Sequence, residues 1–204
     1  MRARAERLGA ERLSEAVDVF CDAFGAYPVM RYVVGSHGDV DARMRRLTTL
    51  FVTRRFMRGG PLFGVANDGH LVGAAILTLS DEPASPPAVA DLERDAWGAL
   101  GDDARERYDT YASFTKAFAT NARHHHLNMI GVRGSHAGRG FARPLLDAVR
   151  LLAAGDPESA GVSLTTELPQ NVRLYEHFGY EVIGHARVTP ELETWGLFMT
   201  TRGR

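Results

Sequence analysis

Apolar positions along this chain switch between a helical and a strand period several times, and the switches outline its elements. Leu13, Val17, Phe20 and Phe24 are spaced four, three and four apart, which predicts a helix over residues 10–25. The aromatic segment Ala26–Val34 opens on a proline-containing break and reads as either a short helix or a loop over a pocket. A further helix begins near Asp39 or Asp41, where a carboxylate can accept from free N–H groups. Met44, Leu47 and Phe51 form its buried stripe, and Arg54, Arg55 and Arg58 sit at the negative end of its dipole. Gly59-Gly60-Pro61 stops it. Two apolar runs, 62–66 and 70–79, flank Asn67-Asp68-Gly69 and predict a hairpin. The second run is nearly continuous, so both of its faces are expected to be covered.

Residues 81–123 change character. A proline-rich break leads into a charged, helix-prone excursion carrying Leu92, Trp97, Leu100, Tyr108, Tyr111, Phe114 and Phe118, read as one or two helices whose aromatic residues are core rather than a cofactor stack. The stretch His124–Ala153 then organises the chain: a strand at Leu127–Val132, a small polar turn at Arg133–Ala137, and a helix with Phe141, Leu145, Leu146, Val149 and Leu152 on one face. Gly138 and Gly140 lie where that helix starts. Glycine lets a bound group approach the backbone, and the first N–H groups of a helix lack internal partners, so a phosphate docked there satisfies both. Pro144 falls in the first turn, where a missing N–H costs little. Short strands at 161–166, from Tyr180, and at Glu193–Thr200 follow, with a helix at Asn171–His177 ended by Gly179, and a loose tail from Thr201 to Arg204. This order predicts an α/β fold with a mixed sheet and a parallel strand-helix-strand crossover.

Composition adds limits. The 204 residues, 45% hydrophobic and 24% charged, suit one soluble domain, 1–204, with 81–123 as an excursion. A net charge of −1 gives no bulk attraction for nucleic acid or an anionic membrane, so any anion site must be local. The single cysteine, Cys21, excludes an intrachain disulfide and a site of several thiolates. The charged N-terminus has no apolar core, and no run approaches the ~18 residues that span a bilayer, so a cytoplasmic location is expected. His124-His125-His126 alternate faces on a strand and cannot all chelate; no metal site is expected.

Two motifs make the chain resemble the GNAT superfamily of acyl-coenzyme A-dependent N-acyltransferases. One is the pyrophosphate motif Gln/Arg-x-x-Gly-x-Gly/Ala, met by Ala137-Gly138-Arg139-Gly140-Phe141-Ala142 with alanine in the first position. The other is Asn-x-x-x-Tyr-x-x-x-Gly-Phe/Tyr, met by Asn171, Tyr175, Gly179 and Tyr180, about 30 residues after Gly140. The resemblance implies a GNAT fold, a mixed central sheet flanked by helices, with a helical insertion before the central strand. It implies direct transfer of an acetyl group from acetyl-CoA to a primary amine of a small molecule: a metabolite, an amino-acid-like compound or an antibiotic. Residues 137–142 would hold the diphosphate, with Arg133, Arg139 and Arg143 as direct contacts that compensate for Ala137. The strand Met129 to Val132, with Ile130, Gly131 and Val132 as binding residues, would pair with the pantetheine amides as an added strand, a backbone N–H near Ile130 would face the developing oxyanion, and Asn171 belongs to the same site. Tyr175 is the family-matched acid for the leaving thiolate. The base stays open among Glu167, His124, His126 and ordered water; Glu167 also reads as a loop carboxylate in solvent. Two alternatives remain: an acyl-CoA-binding module without transfer chemistry, and a peptide or protein N-acetyltransferase. A homodimer is open. Acceptor specificity is expected from 26–37 and 81–123.

Overall fold

The Asp-Gly turn closes the first hairpin through the backbone its chemistry predicts: Asp68 and Gly69 both take positive φ, 50° and 82°. It joins β2 (Leu62–Asn67) to β3 (His70–Thr78). The computed structural model describes residues 3–201, so 202–204 of the expected tail lie outside the described residues; Thr201 itself donates its N–H to the Ala160 carbonyl at 3.2 Å. Every residue of β3 from Leu71 to Leu77 is buried, as its continuous apolar run requires.

Among the described residues seven strands form one sheet in the order β1-β2-β3-β4-β5-β7-β6. The others are β1 (Ala5–Arg7), β4 (His125–Val132), β5 (Gly161–Thr166), β6 (Glu181–Thr189) and β7 (Leu192–Thr200). All neighbours run antiparallel except β4 and β5, which are parallel and joined through α6 (Ala142–Ala154). The sequence reading has no counterpart of β1, a three-residue edge strand too short and too charged to carry a period.

The helices divide between the two faces. On one, Leu145, Leu146, Val149 and Ala153 of α6 pack on Val72, Leu77, Leu127, Val162 and Leu197. On the other, Ala16, Val17, Val19 and Phe20 of α1 (Leu13–Phe24), with Val52 of α3 (Val40–Met57), cover Leu62, Leu71, Ala74, Ile76 and Met129. Asp39 caps α3, accepting from the Ala42 N–H at 2.9 Å. The ambiguous segment at 26–34 is a helix, α2 (Pro28–Val34), with proline in its first position, where no N–H is needed.

The excursion folds as two helices, α4 (Pro87–Leu100) and α5 (Asp102–Thr115), parted by Gly101 at φ 88°. Trp97, Leu100 and Ala104 are buried against Met30, Val33 and Val34 of α2 and Met44, Leu47 and Leu50 of α3. Trp97 is thus core, as expected. A short turn at Lys116–Phe118 then seats the Phe118 ring on the hairpin of β6 and β7, over the paired Gly184 and Gly196. A Cβ at either glycine would overlap that ring.

Candidate active site

The site begins where two strands part. β4 and β5 pair only through His125–Val162, His126–Ser163 and Leu127–Leu164; beyond Leu127 they separate. The parting has a local cause. Against β3, Ile76 pairs with Met129 and Leu77 with Leu127, so Asn128 is an extra residue in β4. Such a bulge bends its strand and interrupts the ladder. On the side facing β5, the stretch 128–132 therefore offers backbone groups without a neighbouring strand. At Gly131 a Cβ would lie 2.7 Å from that of Ala23, so the close approach of α1 requires glycine here.

The β4–α6 turn lies past the open end of that stretch. Arg133 holds its start: its N–H donates to the Val72 carbonyl at 2.8 Å and its Nε to the Leu71 carbonyl at 3.0 Å. That engagement holds the Arg133 side chain through Nε; among the described residues its two terminal nitrogens donate to no acceptor. Asp22 of α1 accepts from the Gly134 N–H at 2.6 Å. Gly138 and Gly140 take φ 73° and 85°, and no atom lies within 4 Å of where their Cβ atoms would be. The amides of Ala137, Arg139 and Arg143 donate to the carbonyls of Gly134, His136 and Gly140. Among the described residues, those of Gly138, Gly140, Phe141 and Ala142 have no protein acceptor. Four amides around the start of α6 are thus left without a protein partner among the described residues, with the exposed side chains of Arg139 and Arg143 beside them.

Where β4 and β5 part, a cavity of about 430 Å³ opens. Its wall includes Ile130 of β4, Tyr175 and Asn171 of α7 (Pro169–His177), Glu167, and His124 and His126 at the start of β4. From outside the motifs come Tyr27, Arg54, Arg55, Tyr108, Tyr111 and Phe118.

Solved structures share this fold along nearly their whole length. A histone acetyltransferase HPA2-related acetyltransferase from Corynebacterium glutamicum superposes with a TM-score of 0.71 at 16% identity, over 100% of this chain and 99% of that one. Arylalkylamine N-acetyltransferase 2 from Aedes aegypti gives 0.62 at 13% identity, over 99% and 100%. The polyamine N-acetyltransferase of Drosophila melanogaster gives 0.56 at 17% identity, over 97% and 98%. The chain has the GNAT fold. No family model matches the sequence, and no curated protein matches it.

Within this GNAT fold the motif residues and the unpredicted ones meet around Glu167. Glu167 is only 6% exposed, which overturns its reading as a solvent-facing loop carboxylate. Its Oε1 accepts from the Tyr111 hydroxyl at 2.6 Å and from the Thr194 hydroxyl at 2.8 Å. Its own N–H donates to the Tyr27 hydroxyl at 3.2 Å, and Tyr27 is also bonded to Thr166 at 2.9 Å. Burial pushes the Glu167 carboxyl above the usual carboxylate range, and the hydrogen bonds from Tyr111, Thr194 and Tyr27 pull the other way. Asn171 donates to Thr166 at 3.3 Å, which ties the start of α7 to the end of β5.

Tyr175 packs edge-on against Tyr180, ring centroids 5.6 Å apart. Among the described residues its hydroxyl makes no hydrogen bond, and burial pushes its pKa far up, so it holds its proton at neutral pH. His126 is bonded to Ser163 at 2.8 Å through Nδ1, and burial, with the charges of Arg55 and His124, pushes it down to about 4. It is neutral at pH 7 and weakly basic. The three histidines diverge: His125 points away to the Ser80 N–H at 3.0 Å, while His124 bonds the Ala122 carbonyl at 2.6 Å and faces Phe198. Among the described residues no group of three potential ligands could hold a metal ion, and no helix is long and apolar enough to cross a membrane.

Of the residues missed in the sequence, Tyr111 lay in view as one of the aromatic series. Tyr27 sat in the undecided segment at 26–34. Thr194 carried no signal, since a threonine in a strand is ordinary.

Proposed function

We propose that this protein is an N-acetyltransferase that moves an acetyl group from acetyl-CoA directly to the primary amine of a small molecule, acting in the cytoplasm as one domain with residues 81–123 as an insertion. One observation carries the reading: the parted strands β4 and β5 open onto the cavity that holds Tyr175 and Glu167, with four unpaired amides at the neighbouring helix start. The residues present suit acetyl-CoA. The amides of Gly138, Gly140, Phe141 and Ala142 suit a diphosphate, and the free side of 128–132 suits the amides of its pantetheine arm.

When bound, acetyl-CoA supplies an activated thioester. The chain's own groups handle the protons. Glu167 accepts one from the incoming ammonium; the freed amine forms the N–C bond as the C–S bond breaks, the hydroxyl of Tyr175 donates a proton to the thiolate, and the second proton that the nitrogen sheds in becoming an amide restores the Tyr175 hydroxyl. A backbone N–H near Ile130 faces the developing oxyanion. Glu167 suits the base role better than His126. Its raised pKa makes it the stronger base, whereas His126, held near 4, has little affinity for a proton.

Thiol release measured across a panel of primary amines tests the reading, together with acetyl-CoA binding by calorimetry. Binding without release on any amine would make the chain a binding module. The pH profile separates the two bases. Glu167 must be ionised, so kcat rises with pH through its elevated pKa, giving an acidic limb above the ordinary carboxylate value of 4.5. His126 is already in its base form above about pH 5 and cannot produce that limb. Glu167→Gln is expected to remove the limb and lower kcat by about 10²-fold or more. A limb unchanged in Glu167→Gln and lost in His126→Gln reverses the assignment.

A further inference from the structure

The acetyltransferase reading leaves one wall of the cavity without a task. Arg54 and Arg55, at the end of α3, both line it, and with Arg58 they form a cluster answered, among the described residues, by Glu82 and Glu93. Glu82 divides its two oxygens: Oε1 meets Nη1 of Arg55 at 2.9 Å, and Oε2 meets Nη2 of Arg58 at 2.8 Å. Arg54 bonds Glu93 at 3.0 Å and the Tyr108 hydroxyl at 3.4 Å. Among the described residues three cations thus face two anions, and two of the three cations line the cavity.

Arg55 also has donors to spare. It engages Glu82 through Nη1; among the described residues its Nε and Nη2 donate to no acceptor. Neither is among the fully buried atoms left without partners. Two free N–H-bearing nitrogens on one guanidinium are the fork that binds a carboxylate or phosphate. A second donor lines the same cavity. Asn128, the bulge residue of β4, accepts from the Thr78 hydroxyl at 2.8 Å through Oδ1, which leaves its Nδ2 as a free donor. Phe24, Phe51 and Phe118 supply apolar surface, and Glu167 is the one carboxylate in the lining. The cavity therefore joins an anion for an ammonium, apolar walls for a body and unpaired cationic donors.

Resting on the acetyltransferase reading, we propose that the acceptor is an amine with an apolar or aromatic body that also carries an anionic oxygen group, a carboxylate or a phosphate, bound by Arg55 and Asn128. His126 stays neutral beside this wall, so it adds no charge of its own at pH 7.

Matched pairs of primary amines test this, with thiol release from acetyl-CoA as readout. L-phenylalanine against phenethylamine isolates a carboxylate; pyridoxamine 5′-phosphate against pyridoxamine isolates a phosphate. The acid-bearing member of at least one pair is expected to have kcat/KM higher by about ten- to a hundred-fold, as for a charge-assisted hydrogen-bonded pair. The pair that shows the preference identifies the anion. Arg55→Gln is expected to abolish the preference through KM, and Arg55→Lys, which keeps a charge without the fork, to retain part of it. Acetyl-CoA binding by calorimetry reports whether each variant is folded. Release that is equal or faster with the acid-free amines, or a preference that survives in a folded Arg55→Gln, overturns the proposal and leaves the acetyltransferase reading standing. Failure of every amine, or of acetyl-CoA binding itself, removes that reading and the proposal with it.

Discussion

Replacing Tyr175 with phenylalanine is expected to lower kcat by about 10²- to 10⁴-fold while acetyl-CoA affinity changes by less than about three-fold. The substitution is clean because the hydroxyl has no protein partner among the described residues, so its loss strands no buried donor or acceptor. The ring remains, and with it the edge-on packing on Tyr180 and the cavity wall. What disappears is a proton held in place at neutral pH by burial. Single-turnover thiol release beside calorimetric binding makes the comparison. An unchanged kcat would give the thiolate's proton to another donor.

The second large effect concerns binding. Gly140→Asp is expected to weaken acetyl-CoA by more than about a hundred-fold. Two costs combine. At φ 85° any side chain is strained, by about 1–2 kcal/mol. The carboxylate would also stand among the free amides where a diphosphate is expected. Two like charges about 4 Å apart near a protein surface repel by about 4 kcal/mol. Gly140→Ala is the control: nothing lies within 4 Å of its Cβ, so it bears the strain alone and should bind within about ten-fold of the parent. Calorimetry on both, with circular dichroism as the check on folding, separates charge from strain. Near-native affinity in Gly140→Asp would place the diphosphate elsewhere.

Much of the scaffold was legible because its signals are local. The period of Leu13 to Phe24, the cap at Asp39, the Asp-Gly turn and the stop at Gly179 each act within a few residues, and each is where the pattern predicts. The segment 26–34 stayed undecided because proline before an aromatic run suits a first helical turn and a loop equally. What the sequence could not supply is convergence. Glu167 looks like a loop carboxylate until Tyr27, Tyr111 and Thr194 arrive from the residue before α2, from α5 and from β7 to enclose it. Those partners lie up to 140 positions away in the chain, and no spacing rule spans that distance. Arg55 was hidden for the same reason: read only as a charge at a helix end, it lines the cavity.

The seat of Phe118 bears on how such proteins diversify. Residues 81–123 bring Tyr108 and Tyr111 to the cavity and then latch onto the sheet through one aromatic peg in a socket made of two bare glycines. Peg and socket belong to segments far apart in the chain, so a lineage cannot exchange one and keep the other. A transplanted insertion would need to arrive with its own matching pair at 184 and 196, and position 118 should change in step with those two wherever the graft has been replaced.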